Sequence, residues 1–138
     1  MNEEKARFSI LISDDHPVMR EGLRMVIAEE PDFEVVGEAS GGKEAIELFR
    51  QLRPDLLLID LEMPGVDGIQ ATAAILAEFP DATIVMLGTY PGDTRIVRAF
   101  TLGATSYILK SARRSEIINA IRSALVQRRT ALPRSGKN

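Results

Sequence analysis

Three aspartates and a lysine are the side chains of this 138-residue sequence best suited to chemistry. Asp14 and Asp15 follow the apolar run from Phe8 to Ile12, Asp60 follows Leu56 to Ile59, and Lys110 follows Ser106 to Leu109. Gly88 and Thr89 come in the same way after Thr83 to Leu87. Carboxylates gathered in one place repel each other and resist ionisation. A hard divalent cation with oxygen ligands removes that penalty, and Mg2+ suits a site with few carboxylates and several retained waters. A lysine ammonium adds a mobile point charge beside them. Metal, free carboxylate and lysine together are what phosphoryl transfer onto an aspartate needs: the cations neutralise the phosphoryl oxygens while the carboxylate attacks in line.

Taken singly, each residue has a plainer reading. Asp14 before a helix is equally a cap, Asp60 a solvated strand-end or turn residue, and Lys110 solvated surface. His16, the only histidine, reads as a solvated helix-start residue, since it has no second ligand at metal-type spacing. Tyr107 reads as a half-buried strand aromatic.

What favours the joint reading is the set of elements that must position these residues. Leu56 to Ile59 has the unbroken apolar character of a strand buried on both faces of a parallel sheet. Phe8–Ile12, Phe33–Gly37, Thr83–Leu87 and Ser106–Leu109 are further short strands, the second nearer an edge because it carries a charge. Between them, apolar residues recur at helical spacing: Val18, Met19, Gly22, Leu23, Val26 and Ile27; then Ala45, Ile46, Leu48, Phe49 and Leu52; then Ile69, Ala73, Leu76 and Ala77. A fourth helix carries Ile96, Val97, Ala99 and Phe100 and closes at Gly103. A fifth carries Ile117, Ile118, Ile121, Ala124 and Leu125. Pro17, following acidic residues, marks the first helix start.

Five strands alternating with five helices predict an α/β fold: a doubly wound (βα)5 parallel sheet with right-handed crossovers and the flavodoxin-like strand order 2-1-3-4-5. All strand carboxyl ends then share one edge. Asp14, Asp15, Asp60, Gly88, Thr89 and Lys110 fall in one crevice there, where such sheets bind their ligands.

Composition sets the outer limits. At this length one domain is expected, and hydrophobic residues make up 45% of it. The absence of Cys excludes disulfides and thiolate chemistry. No apolar run approaches the ~20 residues of a membrane span, and Met1 to Arg7 lacks a signal-type segment. A cytoplasmic protein with no membrane association is expected. A net charge of −3 argues against nucleic-acid binding by the body of the chain. Arg128, Arg129, Arg134 and Lys137 read equally as a solvated helix end and tail or as phosphate contacts. From Gln127 periodicity fades into a helix end and then a linker over 127–138.

Asp14-Asp15, Asp60 with Met63-Pro64-Gly65 and Asp67-Gly68, Gly103-Ala104 and Tyr107-Ile108-Leu109-Lys110 together resemble the receiver domain of two-component response regulators over residues 8–126. Asp14 to Leu23 and Gly103 to Lys110 resemble the NarL/LuxR-type subfamily in particular, whose members usually carry a helix-turn-helix DNA-binding domain beyond a linker. The resemblance implies that Asp60 accepts a phosphoryl group from a phosphohistidine on a sensor histidine kinase. It implies that Asp15, Asp60 and the backbone carbonyl of Glu62 hold Mg2+, that Asp14 assists through water, and that Lys110 pairs with Asp60 or its phosphoryl oxygen. Tyr107 would report phosphorylation by its inward or outward position, at a surface that could also serve a homodimer. Contact with DNA would come only through a C-terminal domain beyond this chain.

Two positions depart from the pattern. The family carries Thr or Ser where this chain has Gly88, and that hydroxyl draws its loop toward the phosphoryl group. Either Thr89 substitutes, or coupling is weakened, and Gly88→Thr is expected to strengthen it. Ser111 stands where a proline is common, so no cis bond is expected there. The rival reading is a phosphorylation-independent interaction or dimerisation module. A flavin- or nucleotide-binding protein of similar fold would need a glycine-rich phosphate loop after the first strand, where Ser13-Asp14-Asp15-His16 would repel phosphate.

Overall fold

The computed structural model describes residues 7–130. Five parallel strands, β1 (Phe8–Ser13), β2 (Phe33–Ala39), β3 (Leu56–Asp60), β4 (Ile84–Gly88) and β5 (Ser106–Leu109), form one sheet in the order β2-β1-β3-β4-β5. Helices α1 (Pro17–Ala28), α2 (Gly42–Leu52), α3 (Gly68–Glu78), α4 (Arg95–Leu102) and α5 (Arg114–Thr130) connect and follow them. The expected doubly wound receiver-type topology is the one present.

Alternate residues of the central strands feed two cores. Leu11, Leu57, Ile59 and Met86 pack with Phe49, Ile75 and Ala99 beneath α2, α3 and α4. Ile10, Ile12, Leu58 and Leu87 pack with Leu23, Ile27, Ile121 and Leu125 beneath α1 and α5. Every residue of β3 is buried, which is why it reads as an unbroken apolar run. Each fully buried Leu or Ile contributes about 1.5–3 kcal/mol relative to exposure, so the middle of the sheet is a rigid base for the loops at its edge.

Several local expectations need correction. Val18 is 84% and Val97 71% exposed, and Phe100 is also exposed, so the apolar stripes of α1 and α4 are narrower than the spacing suggests. β2 continues to Ala39, with a register shift against β1 between Ile10 and Leu11. Asp14 does not cap α1: His16 is the N-cap residue, and Asp14 Oδ1 instead accepts its backbone N–H at 2.8 Å. Arg128, read as part of a solvated helix end or as a phosphate contact, pairs with Asp55 at 3.0 Å. The tail beyond Thr130, with Arg134 and Lys137, lies outside the described residues. Peptide bonds among the described residues are all trans. No helix among these residues is long and apolar enough to cross a membrane.

Candidate functional site

Asp60 is the last residue of β3 and only 1% exposed. Its place is held by backbone bonds on both sides: the Leu61 N–H donates to the Leu87 carbonyl at 2.8 Å, and the Gly68 N–H to the Leu61 carbonyl at 3.0 Å. Gly68 allows this close return of the chain, since a Cβ there would lie 2.8 Å from Leu61 Cα and strike the Asp60 carbonyl. Asp67 then caps α3 in a reciprocal box with Gln70, Asp67 Oδ1 accepting the Gln70 N–H at 2.9 Å and Gln70 Oε1 the Asp67 N–H at 3.0 Å.

The strand-end residues converge as expected. Lys110 Nζ donates to Asp60 Oδ2 at 2.9 Å and lies 3.5 Å from Asp14 Oδ2. Asp60 Oδ1 accepts the Glu62 N–H at 3.1 Å. Asp14 is fully buried and Asp15 partly so. Burial pushes the Asp60 carboxyl above its ordinary range; hydrogen bonds from Lys110 and the Glu62 amide oppose this without prevailing, and the Asp14 charge adds to it. Burial also works against the Lys110 charge, but its hydrogen bond to Asp60 and the charges of Asp60 and Asp14 outweigh it and raise the lysine. The two shifts are compatible. One ammonium serves two carboxylates, so it gains more than Asp60 does.

The donor set fits a cation. Asp14 Oδ2 and Asp15 Oδ1 are buried without a hydrogen-bond partner, a costly arrangement that an oxygen-seeking ion relieves. Ligand atoms of Asp14, Asp15, His16 and Asp60 all lie within 4.8 Å of one another. His16 is exposed at the helix start, as expected, but its ring belongs to this cluster: Nδ1 is 3.1 Å from Asp14 Oδ1, 3.2 Å from Asp15 Oδ1 and 3.9 Å from Asp60 Oδ2. The consecutive order Asp14-Asp15-His16 is the only signal for this, and ligand-spacing rules pass over it.

Arg95 is a second group missed by the sequence reading. It lies at the start of α4 and joins two loops, pairing with Glu62 at 2.8 Å and with Asp93 at 2.6 Å. Arg95, Glu62, Asp15, His16, Met63, Pro64 and Asp67 line the open cavity over the cluster. The Asp93-x-Arg95 spacing at a helix start was available as a signal, because Asp93 Oδ1 also accepts the Arg95 N–H at 2.9 Å.

The remaining expected residues are Thr89, Gly88, Tyr107 and Glu62. Thr89 is exposed, and its side chain makes no hydrogen bond to Asp60, Lys110 or any other described residue. Gly88 ends β4 and is buried; its carbonyl accepts the Lys110 N–H at 2.8 Å. Tyr107 is half-buried and points inward, its hydroxyl donating to the Tyr90 carbonyl at 2.8 Å. Glu62 contributes its amide to Asp60 and its side chain to Arg95.

This geometry, an acidic crevice with one lysine at the carboxyl edge of a five-stranded parallel sheet, defines a class, and comparison with known proteins gives the same one. Residues 10–122 match the response regulator receiver domain family, and the chain belongs to it. Its relatives place it among the NarL/LuxR-type regulators. It is 43% identical over 115 residues to the transcriptional regulatory protein LiaR of Bacillus subtilis, covering 83% of this chain and 54% of that protein. It is 42% identical over 113 residues to the response regulator protein VraR of Staphylococcus saprophyticus, covering 82% of this chain and 54% of that protein. The chain thus spans about half the length of these curated relatives. Among solved structures, the receiver domain of the putative response regulator NarL from Mycobacterium tuberculosis superposes with a TM-score of 0.84 at 30% identity, over 88% of this chain and 98% of that one. A LuxR-family response regulator from Aurantimonas gives 0.84 at 36% identity, over 88% and 87%.

Proposed function

We propose that this chain is the phosphoacceptor module of a transcription-controlling response regulator, taking a phosphoryl group onto Asp60 from a phosphohistidine of a sensor histidine kinase. A carboxylate oxygen of Asp60 forms the new bond to phosphorus while the bond from phosphorus to the kinase imidazole breaks. Lys110, already 2.9 Å from Asp60, is positioned to follow the phosphoryl oxygens as their charge grows. Asp15 and Asp60, with the Glu62 carbonyl, would hold Mg2+, and Asp14 would act on it through water. The ion when bound supplies charge neutralisation of the phosphoryl oxygens. The new phosphoryl group would alter contacts with a partner or a second copy of the chain, and a DNA-binding domain would carry that change to a promoter in the cytoplasm.

The observation that carries this reading is the pair of orphaned oxygens on Asp14 and Asp15 beside the buried Asp60–Lys110 pair. Neither oxygen accepts a hydrogen bond, although Lys110 Nζ lies 3.5 Å from Asp14 Oδ2 and His16 Nδ1 3.2 Å from Asp15 Oδ1, and a merely structural ion pair needs no further buried acceptors left without hydrogen bonds. The experiment is incubation with Mg2+ and phosphoramidate, read by intact mass. One phosphoryl adduct on the native chain and none on Asp60→Ala is expected, and an adduct-free native chain would defeat the reading. The rival, a phosphorylation-independent interaction module, draws its support from Gly88 and the inward Tyr107.

A further inference from the structure

Arg20 ends the first turn of α1, its N–H donating to the His16 carbonyl at 2.9 Å. Its side chain reaches back past the start of the helix: Nη1 donates to the Asp14 carbonyl at 2.7 Å, and Nε to Glu38 Oε1 on β2 at 3.2 Å. Arg24 Nε lies 3.2 Å from the other Glu38 oxygen, so one carboxylate on β2 holds two guanidinium groups of α1. Of the two, Arg20 also grips the loop between β1 and α1. That loop is held elsewhere by the Asp14 N–H, which donates to the Ala39 carbonyl at 3.0 Å, and by Asp14 Oδ1, which accepts the His16 N–H at 2.8 Å. The peptide unit joining Asp14 to Asp15 is planar and trans, so its carbonyl and its N–H point in opposite directions. A carbonyl fixed on Arg20 therefore fixes the Asp15 N–H too, and with it the direction in which the Asp15 side chain leaves the loop. That side chain carries one of the buried oxygens that accept no hydrogen bond.

On the reading of the crevice as a Mg2+ site, on which this rests, we propose that Arg20 is its positioning residue: it presets the Asp14–Asp15 peptide so that both aspartates face a cation before one binds. Asp14, Asp15 and Asp60 repel each other until an ion joins them. A loop with no tie on its backbone relieves that repulsion by turning a carboxylate out to water, and binding then includes the cost of turning it back. A guanidinium suits the task because its planar fork serves two acceptors at once, here the Asp14 carbonyl and Glu38. It also offsets part of the local acidic charge while leaving Asp14 Oδ2 and Asp15 Oδ1 open. Position and charge have opposite signs for a cation. As a bare positive charge Arg20 repels Mg2+, and its removal tightens binding; as the anchor of the loop it favours Mg2+, and its removal weakens binding.

The test uses the full chain, made in a cell-free extract with aspartate isotopically labelled at its carbonyl carbon and its nitrogen. Asp14-Asp15 is the only pair of consecutive aspartates in the sequence, so a carbonyl–amide correlation spectrum holds a single peak, from the peptide that Arg20 anchors. In Arg20→Met, with no metal added, the Asp14 carbonyl resonance should move upfield as it gives up its hydrogen bond. Mg2+ titrated in by calorimetry should then bind roughly tenfold more weakly, the low end for a group that orients a ligand without touching the metal. Arg20→Lys keeps the charge but offers a point donor in place of the fork, and should fall between. Arg24→Met loses an ion pair to the same Glu38 and should match the native chain in both readouts. An unmoved peak in Arg20→Met, an equal loss in Arg24→Met, or Mg2+ bound by Arg20→Met no less tightly than by the native chain overturns the role of Arg20 alone. A native chain that takes up no Mg2+ defeats the reading of the crevice and the role of Arg20 with it.

Discussion

Lys110 Nζ lies 2.9 Å from Asp60 Oδ2, a near-dry contact in which the carboxylate is 1% and the lysine side chain 19% exposed. Even so, burial leaves the Asp60 carboxyl raised rather than lowered. Such a group favours the folded state while protonated. Its contribution is complete in acid, below the unfolded value, and is lost as pH rises through the raised folded value. At neutral pH the Asp60 charge is therefore a net cost, tolerated for what the site does. Asp60→Asn removes that cost and the repulsion from Asp14, while Asp14 Oδ2, 3.5 Å from Lys110 Nζ, keeps the ammonium paired, so it should stabilise the chain by about 1 kcal/mol. Lys110→Met removes the compensation and should destabilise by about 3 kcal/mol at neutral pH, with much of the loss recovered in acid. Urea melts of the two variants at neutral and acidic pH check both signs.

Cation binding should act in the opposite sense to Asp60 burial. The buried oxygens of Asp14 and Asp15 that accept no hydrogen bond would make Mg2+ a ligand of the folded chain alone, worth about 2.7 kcal/mol at a hundredfold excess over its dissociation constant. Thermal melts should rise with Mg2+ and fall back with a chelator, and Asp15→Asn should abolish most of the rise. The His16 ring stands 3.1–3.9 Å from three of the carboxylates, close to where the ion must go. It has to turn aside, so His16→Ala should bind Mg2+ several-fold more tightly by titration calorimetry. Weaker binding in that variant would instead make the imidazole a ligand.

On the opposite side of the molecule, Arg122 fastens α5 to the turn before β2. Its guanidinium bonds Asp32 at 2.6 Å and Glu30 at 2.7 Å and covers the Phe33 ring at 4.6 Å. The hydrogen bond from Arg122 holds the Asp32 carboxyl below its ordinary range, against a smaller effect of burial. A lowered carboxylate stabilises above its unfolded pKa, and that stability is lost as pH falls through the folded value. Both partners are partly exposed, so screening keeps each ion pair to about 1 kcal/mol or less, and the aromatic contact adds about 0.5–1 kcal/mol. Arg122→Ala should cost about 1–2 kcal/mol at pH 7 in low salt, less in high salt. Its acid denaturation should also be shallower as pH falls below 3.8, the ordinary Asp value.

Strand positions and the edge they share could be read from the chain because β1, β3, β4 and β5 are short, mainly apolar runs, and β1, β3 and β5 stop at a polar residue. Asp60 and Lys110 each sit at such a stop, so their meeting needed only the strand order. What escaped depends on directions that no run encodes. The exposed His16 ring lies 3.1–3.9 Å from the carboxylates of Asp14 and Asp15 in its own loop and of Asp60 at the end of β3. Arg95 reaches Glu62 across 33 positions of sequence. Val97 lies on the outer side of a helix only eight residues long, too short for periodicity to separate inner from outer apolar residues. Tyr107 filling the space that a Gly88 side chain would need is a matter of side-chain volume, and a glycine in the sequence does not say what occupies the room it leaves.

Glycine to alanine, made at two helical positions, should give opposite signs. Gly68 opens α3, and a Cβ there would meet the Asp60 carbonyl and lie 2.8 Å from Leu61 Cα. Both obstacles are backbone, and the Leu61 segment is tied to β4 through the Leu87 carbonyl, so neither can yield cheaply. Gly68→Ala should destabilise by about 2–3 kcal/mol, the upper range for overpacking. Because the displaced backbone carries Asp60, the variant should also accept a phosphoryl group more slowly if the proposed function is right. Gly22 lies in the middle of α1, exposed, with nothing within 4 Å of its missing Cβ. There the methyl meets no neighbour and lowers the entropy of the unfolded chain, so Gly22→Ala should stabilise by about 0.5–1 kcal/mol. Denaturant melts of the two variants side by side decide it, and a Gly68→Ala variant as stable as the native chain would show that the tight return of the chain at Gly68 is not what holds Asp60 in place.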